Sequence, residues 1–283
     1  MKKYPVIDTH YHLGINAGRC SNENDMIKWL DKGCIDIQFI MQPNEGSTYE
    51  TPDWNPCLGN DYIASIQKKY KGRIMGLATV FPWWQPPRIY MHGPKQGQSF
   101  DRVTRNIAVE EVERAIGELD LWGLKVHPLE HHHQINNPYI MYPLYEKMIE
   151  MQEKTKRKLM VFIHAAGDDI GNTPEAVFFA AKEFPELLFV ASHSGYYHAS
   201  STVASTMARL SNVMLDLTTV GIPATLIDSY KTFGATKFCT GSDGPVASVA
   251  VKNSIVNSLT EYDEERALIQ GGNLMEYFGI KWQ

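Results

Sequence analysis

Short apolar runs recur along the chain at Val6–His12, Ile35–Met41, Ile74–Phe81, Leu124–His127, Leu159–His164, Leu188–His193, Val213–Leu217 and Lys237–Ser242. They are rich in Val, Ile, Leu and Phe with little polar alternation, the pattern of parallel strands covered on both faces. Successive runs start roughly 33 residues apart on average, which suits a strand, a helix and their two connections. Helical spacing fills the gaps. Asn60–Lys71 sets Tyr62, Ile63, Ile66 and Tyr70 on one side, with Asn60 expected as its N-cap. Val109–Leu121 carries Val112, Ala115, Ile116 and Leu119 on one stripe, and Met141–Lys156, Thr173–Phe184, Ser200–Leu210 and Pro223–Phe233 follow the same logic. Beyond the eighth run lie Ser248–Thr260, Glu264–Gln270 and Asn273–Phe278. The pattern predicts one distorted (βα)8 TIM barrel, residues 1–283 as a single domain, with extra C-terminal helices. The connection Pro82–Ile107, after the third strand, lacks periodicity and holds Trp83, Trp84, Pro86, Pro87 and Tyr90. A loop so long in a compact domain is expected to be a lid or a substrate wall.

Composition narrows the function. The 283 residues include 27 Lys+Arg and 32 Asp+Glu, a net charge of −5, which argues against a nucleic-acid partner. No stretch reaches the roughly 18–20 apolar residues of a bilayer span, and no membrane partner is expected. Met1-Lys2-Lys3-Tyr4-Pro5 runs straight into Val6-Ile7-Asp8, without an apolar signal region, so a cytoplasmic location is expected. The four cysteines, Cys20, Cys34, Cys57 and Cys239, are irregularly spaced and contain no C-x-x-C pair, which argues against a disulfide framework or zinc knuckle.

Histidine carries the candidate chemistry. His10 and His12 are two residues apart on the first strand, so regular alternation projects both, and Asp8, from one face. The fourth strand ends at Lys125-Val126-His127, the fifth at His164, the sixth at His193 and the eighth at Gly241-Ser242-Asp243. In a barrel these C-terminal ends meet at one mouth. Three histidines and a carboxylate there suit a divalent ion such as zinc, with room for water. Arg88, His92, Lys95, Arg102 and Arg105 of the third connection are read equally as a carboxylate clamp or a solvated face. His131-His132-His133, on a mouth-side loop, is expected to be solvated ahead of a role in binding substrate, and Asp216 a buried hydrogen-bonding group.

The ordered motifs Asp8-Thr9-His10-Tyr11-His12, Gly123-Leu124-Lys125-Val126-His127-Pro128, Ile163-His164-Ala165, His193-Ser194-Gly195 and Gly241-Ser242-Asp243 resemble the amidohydrolase superfamily. The resemblance is to its amidohydrolase-related branch, with aminocarboxymuconate semialdehyde decarboxylase, and it spans nearly the whole chain. It implies one divalent metal per chain, Zn2+ ahead of Mn2+, held by His10, His12, His164 and Asp243. It implies His193 as the catalytic histidine and Asp243 as ligand and proton acceptor together. Lys125 and Asp8 are candidates for a second shell or a second metal, and Trp83, Trp84, Arg88 and His127 for substrate binding. The implied reaction is hydrolysis of a small carbonyl, lactone or amide substrate by a metal-activated water. The alternative is non-oxidative decarboxylation of an aromatic or unsaturated acid on the same site. Pro43-Asn44-Glu45-Gly46 stands where decarboxylases of this type carry an arginine, which tilts the expectation toward hydrolysis. A small-molecule substrate and a homodimer complete the expectation.

Overall fold

Apolar parity sets the strands. In the second barrel strand, Ile37, Phe39 and Met41 join the interior cluster with Ile7, Leu77, Met160 and Phe162, while Ile40 packs outward against helices. A computed structural model describes residues 4–16, 19–42, 56–83, 100–195, 206–220 and 224–281. The strands are β1 (Ile7–His12), a hairpin of β2 (Gly14–Asn16) and β3 (Arg19–Ser21), β4 (Ile37–Met41), β5 (Ile74–Gly76), β6 (Ala78–Thr79), β7 (Gly123–Val126), β8 (Met160–His164), β9 (Leu188–Ser192), β10 (Val213–Asp216) and β11 (Phe238–Cys239). Outside the hairpin all pair in parallel, in the orders β1-β4-β5 and β6-β7-β8-β9-β10-β11.

The result is a distorted (βα)8 TIM barrel. Its third strand is the expected Ile74–Phe81 run broken at Leu77, so that β5 pairs with β4 while β6 pairs with β7. Between the last strand and the first, a few bonds close the seam: Thr9 N to Thr240 O at 3.3 Å, His12 N to Gly244 O at 2.7 Å and Asp243 N to His10 O at 2.8 Å.

Several helices differ from expectation. Helix α1 (Glu23–Gly33) was not anticipated, although Asn22 and Asp25 form a capping box ahead of buried Met26 and Leu30. Helix α2 (Pro56–Lys69) starts before Asn60, which is therefore not its cap. Helix α3 (Phe100–Gly117) begins inside the expected long connection, of which residues 84–99 lie outside the described set. Then come α4 (Pro128–His131), α5 (Tyr142–Thr155), α6 (Pro174–Glu183), α7 (Ala224–Phe233), α8 (Val249–Leu259), α9 (Asp263–Ala267) and α10 (Asn273–Phe278). The helix expected over 200–210 lies mostly outside the described residues. Leu274 and Met275 of α10 join the interior cluster with Ile7, Met160 and Leu188, from the N-terminal ends of their strands, and so plug the barrel floor. That leaves the opposite end as the mouth. Among the described residues, no helix is long and apolar enough to cross a membrane.

Asn60 repairs the broken third strand. Its Nδ2 donates to Thr79 O at 2.9 Å and to Glu111 Oε1 at 2.8 Å, while its Oδ1 accepts from Thr79 N at 2.9 Å. The side chain thus takes the place of ladder bonds that β6 lacks on one edge. Asn60→Ala would strip this partner from Thr79 N and O, while Glu111 Oε1 keeps Arg114 Nη2 at 2.9 Å, and it is expected to cost roughly 3 kcal/mol in urea unfolding. A loss below about 1 kcal/mol would contradict this role.

Candidate metal centre

A bulge in β1 aims the site. Asp8 pairs with Gln38 and Tyr11 with Ile40, so three steps along β1 match two along β4. The extra residue reverses the faces. Asp8 falls on the outer side with Gln38, whereas His12 pairs with Met41 and faces inward. The expectation that Asp8 shares a face with His10 and His12 is therefore corrected: it assumed a regular strand.

Inside the barrel, His10 Nε2 lies 3.0 Å from His12 Nε2 and 3.4 Å from Asp243 Oδ1, and His12 Nε2 lies 3.5 Å from the same oxygen. Donors bonded at about 2.1 Å to one ion stand about 3.0 Å apart at right angles and about 3.4 Å apart at tetrahedral angles. The triangle therefore fits one divalent ion, and it is the one such three-residue group among the described residues. Protonation suits that role. Burial, with Lys125 and neighbouring histidines, holds His10 well below its usual pKa, and burial also lowers His12. Burial alone would raise Asp243, but the His12 hydrogen bond and the charges of His193, His12 and Lys125 bring it below the ordinary value. Asp243 sits at φ +57, a left-handed conformation that turns its carboxylate toward the histidines.

Asp8 braces this triangle from outside. Its Oδ1 accepts from His10 N at 3.3 Å and Ser242 N at 2.7 Å, and its Oδ2 from Ser242 Oγ at 2.6 Å and Gln38 Nε2 at 3.0 Å. One carboxylate thus ties the backbone beside both ligand-bearing segments. Lys252 of α8, 1% exposed, supplies the positive charge that acts on Asp8. Gln38 and Lys252 escaped the sequence reading, as did the bracing role of Ser242 within its motif; a lysine at an apolar position of an amphipathic helix was the available signal.

The other expected residues fall into several groups. His193 Nδ1 lies 2.8 Å from Thr219 Oγ1 and 3.1 Å from Thr218 O; the hydroxyl can act either way but a carbonyl only accepts, so a proton on Nδ1 is the arrangement that satisfies both, leaving the lone pair on Nε2. Burial first, then the charge of His164, brings its pKa down to about 3. Its ring stands 5.4 Å from that of His10, and His193 and Ser194 both hold positive φ. Ser192 Oγ meets His10 Nδ1 at 3.1 Å, fixing that ring from behind. Lys125 is buried in the barrel with Nζ 3.3 Å from His10 Nε2 and 4.9 Å from the centre of the Phe162 ring. His164 is outside the triangle: its Nε2 lies 3.1 Å from Asp168 Oδ2 and its ring stacks on His127 at 4.0 Å. Asp216 is buried and accepts from Thr9 Oγ1 at 3.1 Å, with burial pushing its pKa up to about 7. Trp83 Nε1 donates to His132 O at 3.3 Å. Trp84, Arg88, His92 and Lys95 lie outside the described residues, as do the side chains of Arg102 and Arg105.

The His131–His133 segment is corrected as well. Instead of a solvated loop, His131 ends α4 and both it and His133 are buried, with His131 edge-on to Phe81 at 5.0 Å. Burial brings them down to about 3 and about 4. When unfolded, both take up a proton near their ordinary value of about 6.5. Their folded pKa values are lowered, so acid favours the unfolded chain, and stability falls as pH drops from about 6.5 toward 4. Urea midpoints should therefore fall steadily from pH 7 to 5, and His133→Gln should flatten that slope. A midpoint independent of pH over this range would contradict the buried, neutral assignment.

Comparison with known proteins agrees with this architecture. The fold is similar to 5-carboxyvanillate decarboxylase from Sphingomonas paucimobilis (TM-score 0.70, 16% identity, 98% of this chain and 100% of that one). It is also similar to 2,6-dihydroxybenzoate decarboxylase from Rhizobium (TM-score 0.69, 14% identity, 99% of each chain). A third is dihydroxybenzoic acid decarboxylase from Polaromonas sp. JS666, with bound manganese and the inhibitor 2-nitroresorcinol (TM-score 0.68, 14% identity, 99% of this chain and 98% of that one). A search of curated proteins by sequence returned no match. The amidohydrolase family model matches residues 53–279, most of the chain. With a triad suited to one divalent ion at the mouth of its barrel, the chain is an enzyme that belongs to the amidohydrolase family.

Proposed function

We propose that the chain, folded as one domain, is a non-oxidative decarboxylase of an aromatic carboxylic acid, working at a single-metal centre. The observation that carries this reading is the donor triangle of His10, His12 and Asp243 set among flat rings. His193 and Phe162 lie against His10, at ring-centre distances of 5.4 and 4.9 Å, and the stacked His127–His164 pair adjoins His193. Such walls suit a planar substrate. Support also comes from the similar folds named as decarboxylases of hydroxylated benzoates. This reverses the order of the two reactions expected from sequence, where hydrolysis led. That order rested on residues 43–46, which lie outside the described set.

His10, His12 and Asp243 would hold the metal, with His164 beside them. Mn2+ now stands ahead of Zn2+, since a similar decarboxylase holds manganese. When bound, the ion supplies Lewis acidity, polarising a substrate oxygen so that charge can leave the breaking bond. The protein's own residues do the rest. In decarboxylation the bond from ring carbon to carboxylate breaks, carbon dioxide departs, and the ring carbon takes a proton. With Nδ1 engaged by Thr219 Oγ1 and Thr218 O, Nε2 is the ring nitrogen left to His193 for exchanging a proton. Asp243 is the second group able to move one. Trp83 and His127 serve as substrate walls, His127 with its Nδ1 occupied by Glu130 N at 3.3 Å. Lys125, beneath His10, steadies negative charge at the floor of the site.

The test is a panel of hydroxylated benzoates beside lactones and amides, with carbon dioxide and acid release followed separately. Carbon dioxide from an aromatic acid, with an equimolar decarboxylated ring, is expected. Acid release from lactones or amides without carbon dioxide would return the assignment to hydrolysis. His193→Asn should keep its metal and lose at least about a hundredfold in turnover. Near-normal turnover would remove His193 from the reaction.

A further inference from the structure

The chain beyond β9 is tied to the chain beyond β10. Ser194 Oγ donates to Asp216 O at 2.8 Å, and Gly195 N donates to Ala165 O at 2.7 Å. Past Asp216 the backbone turns through Leu217, Thr218, Thr219 and Val220, with Val220 N on Leu217 O at 3.4 Å. Two residues of that turn reach His193. Thr218 brings its carbonyl to 3.1 Å from Nδ1, and Thr219 its hydroxyl to 2.8 Å.

Thr219 stands at φ +52. In a four-residue turn whose third residue alone has positive φ, that place normally takes glycine or asparagine. A β-branched side chain there is an outlier. Among the described residues, Thr219 is the one β-branched residue so placed. The other non-glycine cases have local reasons. Cys34, His132 and Lys156 end helices, where a left-handed residue is a common stop. Asp120 has the short polar side chain that tolerates this region. His193, Ser194 and Asp243 belong to the site itself.

Thr219 has neither reason: it ends no helix and supplies no donor to the triangle. Among the described residues, the one hydrogen bond of its side chain is the contact with His193. Glycine would relieve the backbone but give up that hydroxyl. Strain kept in place by the surrounding structure points to a use for the strained residue. Here the use is geometric. A single acceptor on Nδ1 leaves the imidazole free to rock, whereas a carbonyl and a hydroxyl from adjacent residues fix its plane as well. Nε2 makes no hydrogen bond among the described residues.

We infer that Thr219 is a positioning residue for His193: the turn holds it in a left-handed conformation so that its hydroxyl, with Thr218 O, fixes the imidazole with hydrogen on Nδ1 and Nε2 free. Only the turnover readout below rests on the decarboxylase assignment.

Three substitutions in the full-length chain test it. Thr219→Gly and Thr219→Val both remove the hydroxyl, the first relieving the backbone and the second keeping the branched shape; Thr219→Ser keeps the hydroxyl. With 15N-labelled histidine, two-bond proton–nitrogen correlations without added metal should show His193 of the unaltered protein protonated at Nδ1 and bare at Nε2. Both hydroxyl-free variants should show a mixture of tautomers, and Thr219→Ser the single one. On an aromatic acid that yields carbon dioxide, the hydroxyl-free variants should lose about ten- to a hundredfold in kcat with KM little changed, while Thr219→Ser stays near the unaltered protein. Thr219→Gly should do this with a urea midpoint no lower than that of the unaltered protein, because glycine suits the turn. A proton on Nε2 in the unaltered protein, hydroxyl-free variants that keep one tautomer and full turnover, or a Thr219→Gly midpoint that falls together with its turnover would overturn the proposal. Should no aromatic acid release carbon dioxide, the decarboxylase assignment would fail and the tautomer of His193 alone would decide for or against Thr219.

Discussion

The barrel closes on a carboxylate. Between β11 and β1 few ladder bonds remain, and Asp8 substitutes for them by accepting the backbone N–H groups of both His10 and Ser242. Because Asp243 follows Ser242 directly, the same side chain determines where two strands meet and where two donors point. The bulge in β1 makes this workable: it sends Asp8 outward to the seam while His10 and His12 face in. A buried carboxylate is costly unless paired, and here burial raises the pKa of Asp8 while the charge of Lys252 and the bonds from Ser242 and Gln38 offset part of that rise.

Above that brace the structure gathers three donor atoms at one point. Two imidazole nitrogens and a carboxylate oxygen converge within 3.5 Å in a buried setting, and Lys125 lies against the same His10 nitrogen. A divalent cation at that point would accept all three donors at once. The backbone also bears strain to aim them, since His193, Ser194 and Asp243 hold positive φ, which costs an L-residue roughly 1 kcal/mol or more each. These three follow the sixth and eighth barrel strands, beside the donors they help to aim.

Most of the fold was legible in the sequence because parallel strands write themselves as apolar runs. The donors were legible because they stand at the ends of those runs, as His10, His12 and Asp243 do. What was not legible depends on contacts between distant residues. A bulge is invisible to strict alternation, so Asp8 was placed on the wrong face. Asn60 reads locally as a cap, but its partners Thr79 and Glu111 lie on other elements. The His131–His133 run looks polar and solvated until α4 is seen to bury two of the three rings. His164 reads as a ligand from its strand end, and only the structure shows its Nε2 turned to Asp168.

The central claim is that His10, His12 and Asp243 together hold one divalent ion. Metal content after purification without chelator, followed by Mn2+ titration of the stripped protein, tests it most directly. The account predicts one ion per chain, removable by chelator, restored by Mn2+ and lost in the His10→Ala/His12→Ala double variant. A chain that neither carries nor takes up a divalent ion, or a double variant that binds it as well as the unaltered protein, would contradict it.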